Sequence, residues 1–234
     1  MMNIHMTLAE AIEARHSVRK YIRKPLSADI IQTLQKEIGE CNKLGRLNIQ
    51  LITNEPKAFS GMMSYGVFTG VENYLVMAGT KSDDLDERIG YYGERLVLLA
   101  QQIGLNTCWV GLTYNKVKKA YNLHSDDKIA CVIALGYGES QGPNHKKRKT
   151  ENEVTKGSKN APQWFHDGVK AALLAPTAVH QQKFTFEYIS PSGNEQPRVK
   201  ATRGFSMIGY TQMDLGIAKL HFEIGAGKEN FKWA

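Results

Sequence analysis

The stretch Arg15-His16-Ser17-Val18-Arg19-Lys20-Tyr21 ends a short amphipathic helix and places two guanidinium groups and a hydroxyl within five residues. Arginine binds phosphate through a rigid planar fork of donors, so Arg-x-Ser-x-Arg can hold a phosphate monoester and its sugar chain. Basic residues near the C-terminus of a helix also interact favourably with the helix dipole, which is the structural alternative. Other parts of the sequence are needed to decide between phosphate binding and interaction with the helix dipole.

Length and apolar content are those of a globular protein. The chain has 234 residues, 42% of them hydrophobic, which is enough for one large domain or two small domains with a substantial core. No apolar run approaches the roughly 18 residues that cross a bilayer. The first six residues carry no basic patch followed by an apolar segment, so they do not predict a secretion signal.

Cysteine and histidine usage bears on compartment and metal binding. Cys41, Cys108 and Cys131 are odd in number and far apart, which is typical of a reducing compartment. We therefore expect a cytoplasmic protein. The seven histidines are scattered and form no His-Glu-x-x-His, so we expect no metal site.

The net charge of +7 favours anionic partners such as nucleotides, phosphorylated cofactors or nucleic acid. Much of the excess lies in two basic runs, residues 19–24 and His145-Lys146-Lys147-Arg148-Lys149. A basic run is most often a solvated surface, and residues 143–160 lack the interleaved aromatic side chains that nucleic-acid binding would favour.

The first part of the chain alternates helix and strand patterns. Thr7 and Glu10 form a capping box before the first helix, and Ser27 is placed to cap the second. The apolar run at residues 73–78 predicts a strand covered on both faces, and the run at 129–135 predicts a central strand. The remaining predictions are a loop at 39–45, a strand at 47–53, a mobile loop at 54–70, helices at 83–103 and 115–123, and a strand or extended turn at 105–111.

Gly136-Tyr137-Gly138 does not predict a dinucleotide site. The full Gly-x-Gly-x-x-Gly is missing, and Pro143 and a basic run follow where a helix would have to begin.

The second part of the chain begins with a polar, basic stretch at residues 138–162, which predicts a surface connection. After it we expect a helix at 163–174, a loop at 175–182, paired strands at 183–190 and 197–202, and a last helix that starts with a capping box at Thr211–Asp214 and ends at Gly225. The order helix, loop, strand occurs at residues 28–53 and again at 164–190, which indicates two degenerate half-repeats.

Four segments together resemble the nitroreductase family, whose members hold FMN. They are, with their residue numbers, Arg15-His16-Ser17-Val18-Arg19, Gly104-Leu105-Asn106-Thr107-Cys108-Trp109-Val110-Gly111, Lys146-Lys147-Arg148 and Ala175-Pro176-Thr177-Ala178-Val179-His180-Gln181-Gln182-Lys183. The resemblance implies an α+β fold in which helices surround a mixed β-sheet.

The resemblance also implies roles for particular residues. Within the first segment, Arg15, His16 and Ser17 would bind the cofactor, with Arg15 and Ser17 on the phosphate and ribityl chain. Arg19 would lie near N1 and O2 of the flavin and stabilise the negative charge of the reduced ring. The other cofactor-binding residues would be Lys146 and Arg148 over the phosphate, the Val110 and Gly111 backbone against N5, and Pro176, Thr177, Ala178 and His180 covering the flavin.

The chain departs from the family pattern in ways that suggest a fused pseudo-dimer. The family's Ala-Pro-Ser loop belongs early in the chain, whereas here the similar loop lies in the second half. We therefore expect residues 1–142 to form one half, 143–162 a connection, and 163–234 a second half that supplies the other wall of a single flavin site. A monomer could then bind FMN without a partner chain. His180, Lys183 and Val110 replace the family's Asn, Pro and frequent Glu, which puts the substrate preference in doubt.

The function implied is FMN-dependent oxidoreduction, in which NAD(P)H reduces the flavin and a nitroaromatic, a quinone or a similar small molecule accepts the electrons. The flavin carries the chemistry, so no side chain need act as an acid or base. We expect neither nucleic acid nor a membrane as a partner. The alternatives are a non-catalytic flavin-binding or flavin-processing protein on the same scaffold and a basic nucleic-acid-binding module.

Overall fold

A computed structural model describes residues 6–61, 66–140, 147–193 and 195–234. The chain divides into two compact units, Met1–Leu85 with Arg95–Asn144 and Asp86–Glu94 with His145–Ala234. The α-helices are α1 Leu8–Ala14, α2 Ala28–Gly45, α3 Leu85–Gln102, α4 Gln163–Leu173 and α5 Thr211–Ala226. The strands are β1 Tyr21–Ile22, β2 Gln50–Ile52, β3 Asn73–Thr80, β4 Asn106–Val110, β5 Asp127–Gly138, β6 Thr155–Lys156, β7 Phe184–Ile189, β8 Arg198–Arg203 and β9 Lys232–Trp233.

The first unit is built on β5, which pairs antiparallel with β1, β3 and β4. β2 pairs antiparallel with β3 and extends the sheet. The predicted central position of the apolar run at 129–135 is confirmed. β3 is buried from Asn73 to Gly79, as expected for a strand covered on both faces. The α+β class predicted from the sequence is confirmed.

α1 and α2 start as predicted, although Ser27 makes no side-chain capping hydrogen bond, and α2 is longer than predicted. The Thr7 hydroxyl accepts a hydrogen bond from Glu10 N, and the Glu10 carboxylate accepts one from Thr7 N, so the capping box of α1 is present. The loop predicted at residues 39–45 is wrong, because α2 continues to Gly45. Cys41 extends the buried stripe of Leu34 and Ile38. The free energy gained by burying Cys41 outweighs the cost of placing Gly39 inside a helix.

Two loops of the first unit also differ from expectation. The stretch predicted as a mobile loop at 54–70 contains a 3₁₀ turn at Pro56–Phe59, and Phe59 packs edge-to-face against Phe68 and Tyr74 in the core. The helix predicted at residues 115–123 is wrong, since this segment forms irregular turns. Its backbone bonds to other loops instead, because Asn115 N donates to Ala58 O and Asn122 N donates to the Gln50 side chain.

The second unit contains a four-stranded sheet in the order β6-β7-β8-β9, with β7 and β8 antiparallel and both outer pairs parallel. Phe186 of β7 stacks on Phe222 of α5 with ring centroids 4.6 Å apart, and Phe184 on the same strand is also buried. Part of the predicted surface connection also enters this unit. Val154 is fully buried, and Thr155–Lys156 pairs with β7.

α5 differs from a surface helix because it is buried on almost every side. The sequence placed its end at Gly225, but the helix continues to Ala226 and ends at Gly227, whose φ is +76°. Gly225 is needed for a different reason. A Cβ there would lie 2.6 Å from Asp167 O of α4, so its missing side chain allows close helix packing.

The half-repeats and the boundaries at residues 142 and 162 stay predictions, and the two sheets differ in strand order and pairing. In the part of the chain that the structure describes, no helix combines the length and the apolar character needed to cross a bilayer.

α5 packs closely against the first half of α3 at Gly216, and this contact predicts how a substitution there changes stability. A Cβ on Gly216 would lie 2.0 Å from Glu87 O, which is a backbone atom that cannot rotate away. We expect Gly216→Ala to lower the free energy of unfolding by about 1–3 kcal/mol through overpacking. Urea denaturation checks this.

Gly39→Ala is the matched control for that experiment, since Gly39 lies inside α2 with no atom within 4 Å of the added Cβ. We expect this variant to gain roughly 0.5–1 kcal/mol from helix propensity. A Gly216→Ala protein as stable as the unsubstituted chain would show that this glycine is not required for packing.

Candidate cofactor site

The basic motif of the first unit is an extended segment rather than a helix end. α1 ends at Ala14, and Arg15 already has extended backbone angles, φ −68° and ψ 140°. Val18 N donates to Thr107 O at 3.0 Å, which holds the segment against β4. Tyr21 then pairs with Gly138 at the end of β5. The motif is therefore attached to the sheet, which favours a binding role over the helix-dipole explanation.

Buried side chains hold this segment in place. Val18 and Tyr21 are each only 3% exposed and belong to the core of the first unit. The Tyr21 hydroxyl donates to Ala134 O at 3.4 Å. Burial raises the pKa of Tyr21 well above its usual value, so this phenol stays neutral and keeps its donor role.

The structure brings Arg15, Ser17 and Arg19 together around the Cys108 thiol. Burial raises the pKa of Cys108, whereas the positive charges of Arg19 and Arg15 and a hydrogen bond from Ser17 act to lower it. Both guanidinium groups therefore lie close enough to one buried sulfur atom of β4 to influence its pKa. The spacing of the motif thus places two cations and a hydroxyl at one location, as a phosphate-binding role requires.

His16 provides a further polar group at this place. Its Nδ1 atom is buried and has no hydrogen-bond partner within the described ranges. A buried polar atom left without a hydrogen bond costs about 1–3 kcal/mol. A bound polar group that supplied this hydrogen bond would remove the cost.

The end of β4 lies beside the motif. Val110 is 3% exposed with its side chain in the core, so only its backbone and that of Gly111 are available to a ligand. Asn106 Oδ1 accepts a hydrogen bond from Gly138 N at 3.0 Å. A Cβ on Gly138 would lie 2.7 Å from that oxygen, so the position requires glycine.

Sequence reasoning missed Asn106 and Cys108 as parts of this site. Both residues lie in the segment at 104–111, which is one of the four segments that resemble the nitroreductase family, so the sequence did indicate this region. Their contribution depends on pairing with β5 and the basic motif, which spacing along the chain does not reveal.

In the second unit, the loop at residues 175–182 is organised by Asp214. Ala178 N donates to Asp214 Oδ1 at 2.9 Å, and Gln181 Nε2 donates to Oδ2 at 2.7 Å. The capping box predicted for Thr211 and Asp214 is therefore wrong. The carboxylate bonds to a remote loop, and Tyr210 in the left-handed conformation precedes the helix without a side-chain cap.

This loop has an unusual backbone. Val179, His180 and Gln182 have φ of 46°, 62° and 45°, a backbone region that residues other than glycine rarely adopt. Tertiary bonds hold it there, since Gln182 N donates to Thr177 Oγ1 at 3.1 Å and Gln182 is only 1% exposed. Such strain persists only where the surroundings determine the conformation, and it is concentrated at functional sites.

The basic run contacts the same loop. His180 Nε2 lies 2.8 Å from Lys147 O, and Lys149 Nζ donates to Gln182 O at 2.7 Å. The exposed Arg148 lies between these two contacts, so the structure brings it into the neighbourhood of Thr177, Ala178 and His180. Pro176 is half-buried at the start of the loop, and Lys146 lies outside the described residues.

The predicted site residues thus form two groups. The first unit gathers Arg15, His16, Ser17 and Arg19 beside the strand that ends at Val110. The second unit gathers Arg148 with residues 176–180. No group of three or more His, Cys, Asp or Glu side chains suited to a metal ion occurs in the described ranges.

Comparison with known proteins identifies the family. A family model described as "Putative TM nitroreductase" matches residues 7–226. The chain belongs to this family. No curated protein matches the chain.

The fold of this family member is also found among solved structures. A structure described as a putative nitroreductase from Thermotoga maritima has a TM-score of 0.62 and 21% sequence identity, and the match covers 98% of this chain and 88% of that chain. An FMN-dependent nitroreductase from Clostridium difficile has a TM-score of 0.47 and 17% identity, covering 65% and 96% of the two chains. A TM-score below 0.5 is too low to establish a shared fold.

The nitroreductase fold predicted from the four segments is therefore confirmed. The pseudo-dimer, the individual cofactor contacts and the assembly state stay predictions.

Asp214 gives this nitroreductase family member a pH-dependent stability. Burial raises its pKa from 3.8 to about 6, against the opposing hydrogen bonds from Ala178 and Gln181. The native state therefore binds a proton more tightly than the unfolded chain. The contribution of Asp214 to the free energy of unfolding is complete below pH 3.8. It is lost as the pH rises through about 6, a change of about 3 kcal/mol.

We expect the stability difference between the unsubstituted chain and Asp214→Asn to shift by up to that amount between about pH 4 and about pH 7. Urea denaturation across this range measures it. Asp83→Asn, which removes an exposed carboxylate, is the control for surface charge. Parallel curves for the unsubstituted chain and Asp214→Asn would contradict the assignment.

Proposed function

We propose that this chain is an FMN-dependent oxidoreductase that takes electrons from NAD(P)H and passes them to a small acceptor such as a nitroaromatic or a quinone. Family membership supports FMN-dependent oxidoreduction in general. The NAD(P)H donor and the acceptor belong to the proposal. The observation that carries it is the gathering of Arg15, Ser17 and Arg19 around Cys108.

The donor set of the first unit fits FMN. A phosphate monoester carries close to two negative charges and accepts several hydrogen bonds, which two guanidinium groups and a hydroxyl can satisfy. The buried Nδ1 of His16 adds a polar group that requires a partner. The basic net charge of +7 also favours an anionic cofactor.

Each residue of the motif has a distinct role in this proposal. Arg15 and Ser17 bind the phosphate and the ribityl chain. Arg19, which is exposed, supplies positive charge to the reduced ring, and the Val110–Gly111 backbone lies along its edge. FMN supplies the redox chemistry when it is bound, so the protein contributes binding, orientation and electrostatics. Roles for Arg148, Pro176, Thr177, Ala178 and His180 stay predictions from the resemblance.

The direct test is the absorption spectrum of the purified protein with identification of the released cofactor. We expect a yellow protein that releases FMN rather than FAD, with one FMN per chain. Anaerobic mixing with NADH or NADPH should bleach the flavin absorbance. A colourless protein that also fails to quench added FMN fluorescence would refute the proposal, and bound flavin that neither donor reduces would favour a non-catalytic flavin protein.

Arg15→Ala tests the phosphate role. A charge-assisted hydrogen bond is worth roughly 1.5–3 kcal/mol, so we expect FMN affinity to fall about tenfold to a hundredfold. Fluorescence quenching measures this affinity. Arg19→Ala should mainly slow flavin reduction, which stopped-flow absorbance follows.

Arg23→Ala is the matched control for both variants. It removes one guanidinium from a side chain that is 78% exposed and paired at 3.9 Å with Glu72. We expect its FMN affinity to equal that of the unsubstituted chain. An equal loss in Arg15→Ala and Arg23→Ala would attribute the effect to net charge and not to a phosphate contact.

A further inference from the structure

A second basic site lies in the first unit, at the opposite end of β5 from the motif at residues 15–19. An open pocket of about 450 Å³ is lined there by Lys81, Lys116, Lys118 and Lys128. β5 runs from Asp127 at this pocket to Gly138 beside the motif, which is roughly 35 Å at about 3.3 Å per residue. The two places are therefore separate.

The charge of the pocket is strongly positive. Four lysines face one carboxylate, Asp127, which leaves an excess of three positive charges. Asp127 Oδ2 already accepts hydrogen bonds from Asn48 Nδ2 at 2.7 Å and from His124 N at 3.0 Å. Those bonds hold that oxygen against Asn48 and His124, and the excess of lysines in the lining makes the field that a ligand meets positive.

The wall that carries Lys116 and Lys118 is anchored. Val117, which lies between the two lysines in sequence, packs against the core of the first unit. Both lysines therefore point away from that core. Asn122, further along the same segment, exchanges hydrogen bonds with the Gln50 side chain of β2. The pocket is thus formed by fixed backbone with flexible cationic side chains.

The rest of the lining is suited to a flat ring. Tyr121, Leu123 and Ile129 contribute aromatic and aliphatic surface. Burial raises the pKa of Tyr121, which keeps its phenol neutral and able to donate a hydrogen bond. A volume of this size accommodates a small-molecule ligand.

We propose that this pocket binds a nucleoside polyphosphate, with its phosphates on the four lysines and its base on the apolar lining. Lysine is a common point-charge partner of phosphate, and several lysines together match a polyphosphate better than a single monoester. The proposal does not depend on the flavin chemistry.

The test is calorimetric titration of the FMN-saturated protein with ATP, with sodium triphosphate and adenosine as comparison probes. FMN saturation occupies the other candidate phosphate site. We expect ATP to bind more tightly than triphosphate, adenosine to bind weakly, and added salt to weaken both anions because exposed charges are screened. Absence of ATP binding, or triphosphate binding as tightly as ATP, would overturn the proposal.

Paired variants locate the binding. Lys116→Gln with Lys118→Gln should weaken ATP binding roughly tenfold, since the double variant removes two exposed ion pairs with the phosphates. Lys36→Gln with Lys43→Gln removes the same charge from exposed positions of α2 and should leave ATP affinity unchanged. Leu123→Ser should weaken ATP but not triphosphate. Equal losses in the two lysine pairs would show only a general charge effect and would refute the site.

Discussion

β5 is the element on which the first unit depends, because a buried strand must satisfy its backbone donors and acceptors on both edges. It does so with β3 along most of its length and with β4 and β1 towards its C-terminal end. β1 pairs with the C-terminal end of β5, and Val18 N donates to Thr107 O of β4, so the segment at residues 15–21 lies on the sheet beside Cys108. The candidate phosphate site is thus a consequence of strand pairing. Its two arginines lie on fixed backbone, which limits the entropy lost when an anion binds.

The second unit depends on close helix contacts and on a buried polar pair. His221 and Glu94 are both fully buried, with His221 Nε2 2.9 Å from Glu94 Oε1 and Nδ1 3.1 Å from Ala171 O. Removing either partner would leave the other polar group buried without its bond, which is costly. Gly216 lets the backbones approach closely enough for this pairing. Asp214, two residues before Gly216 on α5, uses its carboxylate to hold the loop at 177–181, and this carboxylate is desolvated by its burial.

The two basic surfaces of the first unit differ in construction and therefore in what they can select. Arg15 and Arg19 lie near a buried thiol of β4, and a planar guanidinium fork favours a defined phosphate geometry. The pocket near Asp127 presents exposed lysines, which are flexible point charges. The first arrangement suits one cofactor in one orientation. The second suits ligands that carry several charges, and its affinity should depend strongly on ionic strength.

The sequence alone determined the α+β class, the central strand at 129–135, the capping box at Thr7 and the family, because these follow from local pattern and from motifs that are contiguous along the chain. It also singled out Arg15, Ser17 and Arg19, although not the thiol that they surround. The tertiary structure decided the extension of α2 past Gly39, the irregular turns at 115–123 and the role of Asp214. In each case a contact remote in sequence outweighed local propensity: burial of Cys41, the bond between Gln50 and Asn122, and the bonds from Ala178 and Gln181. A residue with a strong remote partner adopts the conformation that satisfies that partner, and sequence spacing carries no record of it.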